Sequence, residues 1–342
     1  MQPDLTADQG ANSVKLSVPH GWRLPLLSVV IGAALVMLIA AREWGEMAHQ
    51  WWYIDTYSHI LLVPVIIGWL VSLKTEELAK VAPKAWIPGI GIVGAGLALW
   101  LTGRALDINL IAHAGAVGAV QGVVITALGL RASLVLALPL CMGVFLVPFG
   151  DEIIPPLQAV TAEIAVALTE WSGIPAIVDG IYIDTPVGLF IVAEACSGVK
   201  FLVVMVTLAV LVCFTRFESW WKRAAFMSVA IIVPIIANGI RAWGTIYIAQ
   251  SQGVEFAEGF DHIFYGWIFF AIVVAVILAS AWRFFEREPY EFGWTAEEVA
   301  NIAPARWLDR GSASPVVAVA AIIALALGAA FLASVVAPAT LS

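Results

Sequence analysis

Three side chains stand out for the chemistry they could do together: Cys196, Arg241 and His262. Cys196 sits in EACSGVK (194–200), with Glu194, Ser197, Gly198 and Lys200 around it, at the mouth of a long apolar run. A cysteine attacks a carbonyl as its thiolate, and a helix N-terminus or a nearby cation favours that form. A histidine at the same level can carry a proton to a leaving amine. A guanidinium can hold a tetrahedral oxyanion, an interaction worth most where water is scarce. The chemistry within reach is acyl transfer through a thioester. Each group also has a plainer reading. A cysteine in an apolar helix often serves as a small hydrophobe, an arginine can snorkel to headgroups, and His262 stands beside Asp261 as an interfacial histidine would.

The elements that must position these groups are membrane helices. Apolar residues make up 61% of the chain and charged residues only 12%, and the mean hydropathy is +0.94. The apolar residues fall in runs long enough to cross a hydrocarbon core, without the alternation of barrel strands. The expected fold is all-α, a polytopic bundle of about 8–9 transmembrane helices. Spans are expected near 24–41, 57–73, 86–105, 108–129, 132–149, 196–215, 223–250, 262–282 and 315–337. The first run lacks an obvious cleavage site and reads as an uncleaved span. Segment 152–172 carries Glu163 and Glu170 on a shorter apolar pattern and reads as an interfacial helix. Segment 174–192, with Pro175 and Pro186, reads as an extended or re-entrant loop. The organisation that follows is a tail (1–23), a transmembrane core (24–285), a loop (286–314) and a further helix with a short tail (315–342).

Basic residues orient the bundle. With the N-terminus inside, 13 of the 17 Lys and Arg residues lie on the inner side, all but Arg42, Arg104, Lys200 and Arg241. Cys196 then opens an outward-to-inward span. Arg241, eighteen residues past Arg223, rises roughly 27 Å, to the outer boundary. His262 opens the next span from outside. Asn238, one helical turn before Arg241, could hold its geometry. His59 in YSHILLVP (57–64) is a rival or supporting base, and Glu194 and Ser197 are supporting candidates.

The other two cysteines, Cys141 and Cys213, read as small buried hydrophobes, and no C-x-x-C occurs. That argues against a metal cage or a dithiol pair, and the reading needs neither cofactor nor metal. There is no basic patch of the kind a nucleic acid requires. A transporter would be expected to show paired broken helices in two halves, which the sequence lacks. The alternative from another class is a non-proteolytic membrane component of exopolysaccharide biosynthesis or export, which would not need the thiol.

EACSGVK (194–200), NGIR (238–241) and HIFYGWIFF (262–270) resemble the three signature blocks of the exosortase/archaeosortase family. YSHILLVP (57–64), VPFGDEIIPPLQ (147–158) and SGIPAIVDGIYID (172–184) are similar to further family features, so the resemblance covers roughly residues 50 to 285. It implies a multi-pass cysteine peptidase and transpeptidase of the bacterial inner membrane, with its active site facing the periplasm. Its partners would be membrane lipids and exported proteins carrying a C-terminal tripartite signal: a short Pro-Glu-Pro-like motif, a transmembrane helix and a basic cluster. The resemblance also implies an association with exopolysaccharide biosynthesis. The family's catalytic Cys, Arg and His fall on Cys196, Arg241 and His262. Ile60 stands where the family usually has glycine after the early block, and the extra C-terminal run leaves the subfamily open.

Overall fold

A computed structural model of the chain describes residues 20–253, 266–302 and 311–336. It is an all-α polytopic bundle. Among the described residues six helices are long and apolar enough to cross a membrane, or seven if a bent pair counts as one span. Three shorter apolar helices accompany them.

That bent pair is α1 (Arg23–Ile39) and α2 (Ala41–Tyr53), which turn by 87° at Ala40. The run 24–41 therefore continues into a helix lying across it, because Glu43, Glu46 and His49 break the apolar pattern. A 3-10 turn (Ser58–Leu62) leads into α3 (Val63–Leu73), and a short α4 (Thr75–Lys80) follows. Next come β1 (Ala85–Trp86), α5 (Gly89–Leu106) and α6 (Asn109–Leu128). α5 and α6 form a close hairpin. A β-carbon at Gly96, Gly103 or Gly115 would run into the partner's backbone at Ala119, Ala112 or Trp100. Lipid tails are as apolar as leucine, so membrane helices associate through this kind of close van der Waals fit.

The expected span at 132–149 is instead α7 (Leu130–Val135), α8 (Ala137–Met142) and a 3-10 turn (Gly143–Leu146). Pro139, Gly143 and Pro148 explain the fragmentation, since proline cannot donate to a helix ladder. α9 (Ile154–Trp171), with the turn before it, is long and apolar enough to cross a membrane, with the lowest mean hydropathy of the six such helices. The segment after it, expected as an extended or re-entrant loop, is extended and hydrogen-bonded into a sheet. It is an antiparallel meander of β2 (Ile177–Asp179), β3 (Tyr182–Thr185) and β4 (Gly188–Ile191), in that order across the sheet. α10 (Val199–Arg216), α11 (Trp220–Gln252) and α12 (Gly266–Trp282) complete the core. α13 (Ala296–Asn301), β5 (Ser312–Ala313, paired with β1) and α14 (Pro315–Val336) follow. Residues buried on α14, such as Ile322, pack into the same apolar core as α1, α5 and α6.

The bundle has two chemically distinct ends. The segment after α12 ties several helix ends together: Glu286 meets Lys222, Phe292 lies under Lys74, and the Ala296 N–H donates to Glu77. This end gathers Lys74, Lys80, Lys84, Arg131, Arg216, Lys222, Arg223 and Arg287. Arg241 stands about 32 Å along the α11 axis from Trp220, with the helix continuing to Gln252. That rise matches a hydrocarbon thickness of roughly 30 Å, and the strongly exposed Trp220 and Trp221 mark its start.

Candidate functional site

The turn that carries Cys196 precedes α10 rather than forming its first residues. A 3-10 turn (Glu194–Cys196) closes through the Cys196 N–H to the Ala193 carbonyl at 2.8 Å. Gly198 then caps α10 in the left-handed region, at φ +83°. Glycine is needed there twice over. A side chain would be strained at that φ, and its β-carbon would lie 2.8 Å from Asn238 Cγ.

Asn238 is buried on α11 and binds this turn from the side. Its Nδ2 donates to the Cys196 carbonyl at 2.8 Å and to Thr161 Oγ1 at 3.0 Å. Thr161 in turn donates to the Ser197 carbonyl at 3.5 Å. One residue group on α9 thus joins the turn to α11. Gln158, a turn earlier on α9, donates to the Val192 carbonyl at 2.7 Å. The chain from β4 to α10 is therefore held by three neutral, buried side chains on two helices. Each such bond contributes about 1 kcal/mol net, but an orphaned partner in a dry site costs more. The helices themselves meet closely, because Gly239 leaves room for the Ile164 side chain.

Cys196 and Arg241 line one small pocket of about 80 Å³. Asn238 and Thr245 add polar groups, and Ile183, Phe190, Ile191, Val192, Ala242 and Ile246 form apolar walls. The walls come from the meander as well as from α11, so the sheet serves as one side of the site. The Arg241 guanidinium also faces the start of α12. A β-carbon at Gly266 would sit 3.6 Å from its Cζ, an ordinary contact. A thiol and a guanidinium in one apolar recess suit anion stabilisation, since charge interactions strengthen as water is excluded.

The other expected residues separate into three groups. Asn238 holds the Cys196 turn, a different partner from the Arg241 geometry anticipated for it. Ser197 is buried, with its Oγ 3.4 Å from the Val199 N–H, and serves the turn. Glu194 is exposed and opens the 3-10 turn, accepting the Ser197 N–H at 3.1 Å. His59 Nδ1 lies 3.0 Å from the Thr56 carbonyl. Neither His59 nor Glu194 is among the pocket's described lining. Lys200 turns away to Asp55 at 3.3 Å and over the Trp267 ring at 4.1 Å. His262 lies outside the described residues. Cys213 is buried as expected, whereas Cys141 is exposed on the bundle surface.

Sequence reasoning missed Gln158 and Thr161. The signal was two polar residues three apart on an apolar helix, which places both on one face. The structure buries that face against the Cys196 segment. Phe190 and Ile183 were missed because the sheet was not foreseen.

No curated protein and no solved structure matches the chain. The family model for transmembrane exosortases (Exosortase_EpsH) matches residues 51–279, which contain Cys196, Asn238, Arg241 and all three strands of the meander. That span is about two thirds of the sequence, and the chain belongs to the transmembrane exosortase family.

Proposed function

We propose that this chain is a cysteine peptidase and transpeptidase that removes C-terminal sorting signals from exported proteins at the periplasmic face of a bacterial inner membrane. The observation that supports it most is the pocket shared by Cys196 and Arg241, well removed along α11 from the basic end. The positive-inside bias supports a basic end in the cytoplasm and this pocket outside.

The substrate's transmembrane tail lies beside the bundle, and its scissile peptide enters the pocket. The Cys196 thiolate attacks the carbonyl carbon and forms the C–S bond. The oxyanion of the tetrahedral intermediate rests against the Arg241 guanidinium. The C–N bond then breaks, and the leaving amine takes a proton from His262, the residue that matches the family's histidine. Water or an amine acceptor attacks the resulting thioester and restores the thiol. Asn238 and Thr161 position the Cys196 turn without touching the reacting atoms.

The meander offers the substrate backbone a place to lie. The Val192 N–H donates to the Ile181 carbonyl, so the pair Tyr182–Ile191 does not exchange hydrogen bonds across the sheet. The N–H groups of Leu189 and Ile191 therefore point to the free edge of β4. Extended peptides bind such edges by adding a strand, and this edge runs directly to the pocket.

Co-expression with a protein bearing a tripartite tail tests the reading. Cys196→Ala and Cys196→Ser are expected to abolish tail removal while the protein still accumulates in the membrane. Tail removal at the normal rate in either variant would overturn the assignment.

A further inference from the structure

Lys200 joins the first turns of α10 and α12. Its Nζ lies 4.1 Å from the centroid of the Trp267 ring and 3.3 Å from Asp55 Oδ2. We propose that Lys200 is a positioning residue for the reaction: it ties the start of α12 to the Cys196 turn and so keeps Arg241 beside the thiol. The inference rests on the role proposed for Cys196 and deepens it.

Placement is the first argument. Lys200 is the second residue of α10, directly after the Gly198 cap, so its backbone continues the turn that carries Cys196. Trp267 is the second residue of α12 and follows Gly266. Gly266 is where α12 meets Arg241, since a β-carbon there would lie 3.6 Å from the guanidinium Cζ. One contact, Lys200 on Trp267, therefore sets the first turn of α12 against both the Cys196 turn and the Arg241 side chain. The next residue of α10 repeats the tie one turn along α12: the rings of Phe201 and Phe270 stack with centroids 4.5 Å apart and planes 17° from parallel. Two successive contacts of this kind fix the spacing of the two helices and the rotation of one against the other.

The two partners of Lys200 are unequal, which is the second argument. The Asp55 side chain is 90% exposed and that of Lys200 only 20%. Water and salt weaken the pair with Asp55. An ammonium over an indole face gains as the cation is shielded, so Trp267 is the stronger anchor. Asp55 still guides the lysine, because its loop is fixed. Tyr57 is buried and its hydroxyl donates to Asp151 Oδ1 at 2.5 Å, and Ser58 Oγ donates to the Asp55 carbonyl at 3.0 Å.

The consequence for the reaction is geometric. A thiolate and a guanidinium that must meet the same carbonyl lose about 10²-fold in rate for a displacement of about 1 Å. Lys200 acts here through Trp267 and α12, without contact with the reacting atoms, so it works on kcat rather than on KM.

Full-length protein in detergent tests this in two ways: kcat and KM on a peptide bearing a tripartite tail, and the rate at which a maleimide alkylates Cys196, read by mass spectrometry. Lys200→Met and Trp267→Leu should each lower kcat about tenfold with KM held within about twofold. Each should also slow Cys196 alkylation about threefold, as Arg241 is held less firmly beside the thiol. The double variant should be no worse than either single one, because both remove the same contact. Lys200→Arg keeps a cation that stacks on an indole and pairs with a carboxylate, and should retain about half the rate. Unchanged kcat and alkylation in Lys200→Met, or full additivity of the two substitutions, would overturn the tether. A raised KM at constant kcat would make Lys200 a substrate contact and overturn the positioning role. Alkylation needs no peptidase activity. A wild type that removes no tail would therefore strike the function proposed for Cys196, while the alkylation difference still decides the tether.

Discussion

The basic end of this bundle and the turn that carries Cys196 are fastened by different physics. At the basic end the fastenings are charged and wet. Glu286 accepts the Glu218 and Ser219 N–H groups at 2.7 and 3.0 Å and meets Lys222 at 2.6 Å, and Arg287 faces Glu218 at 3.6 Å. Around the Cys196 turn itself they are neutral and buried, the amides of Asn238 and Gln158 reaching backbone carbonyls, while the Lys200–Asp55 pair stays at the exposed rim. Exposed ion pairs contribute little and weaken with salt. Buried amide–carbonyl bonds are directional, and leaving one unmade is expensive. The comparison teaches where the molecule needs geometry: the basic end must only stay closed, while the thiol must stay in one place.

The largest effect should come from breaking the dry end. Asn238→Leu leaves the Cys196 carbonyl and Thr161 without their donor. It should lower tail removal by about one to two orders of magnitude and destabilise the protein by about 1–3 kcal/mol. Asn238→Asp should not rescue it, because a carboxylate cannot donate to the carbonyl. Rates in membranes normalised to protein level, beside thermal melts, check both. Rates unchanged in Asn238→Leu would make the two ends equivalent and the comparison empty.

A smaller effect should follow at the sheet. Leu189→Pro removes an outward N–H of β4 at an exposed side chain that is not in the pocket lining, a position where an edge strand tolerates proline. Tail removal should fall about tenfold with melting shifted by less than about 0.5 kcal/mol. An unchanged rate would mean that the substrate does not use this edge.

The smallest effect belongs to the wet end. Lys222 and the two backbone N–H groups hold the Glu286 carboxyl down at about 2, from an ordinary 4.5. A depressed carboxylate stabilises the fold fully above its unfolded value and loses that contribution as pH falls through the folded one. The wild type should therefore lose stability from about pH 4.5 toward about pH 2, more than Glu286→Gln does. Melting of both proteins across that range, at low and high salt, checks the sign. High salt should shrink the difference here and leave the Asn238 effect untouched.

Much of this was legible before any coordinates. Apolar runs announce helices because a backbone in lipid must satisfy its own hydrogen bonds. The asymmetry of Lys and Arg separated the two ends. The helical rise alone put Arg241 roughly 27 Å from Arg223, close to a membrane's thickness. Other features were not legible. The span at 132–149 looked continuous because hydropathy averages over Pro139 and Pro148. The meander looked like a loop because its strands are three or four residues long, too short for a clear alternation.

What the sequence determined by itself was therefore the solvent, the secondary structure of the long runs and the short set of residues able to do chemistry. Those depend on local composition and on rise per residue. Only the tertiary structure decided that Asn238 holds Cys196 rather than Arg241, that Gln158 and Thr161 belong beside the site, and that a sheet walls the pocket. These are contacts between segments tens of residues apart, set by which helix faces fit at Gly198 and Gly239, and no one-dimensional pattern records which faces meet.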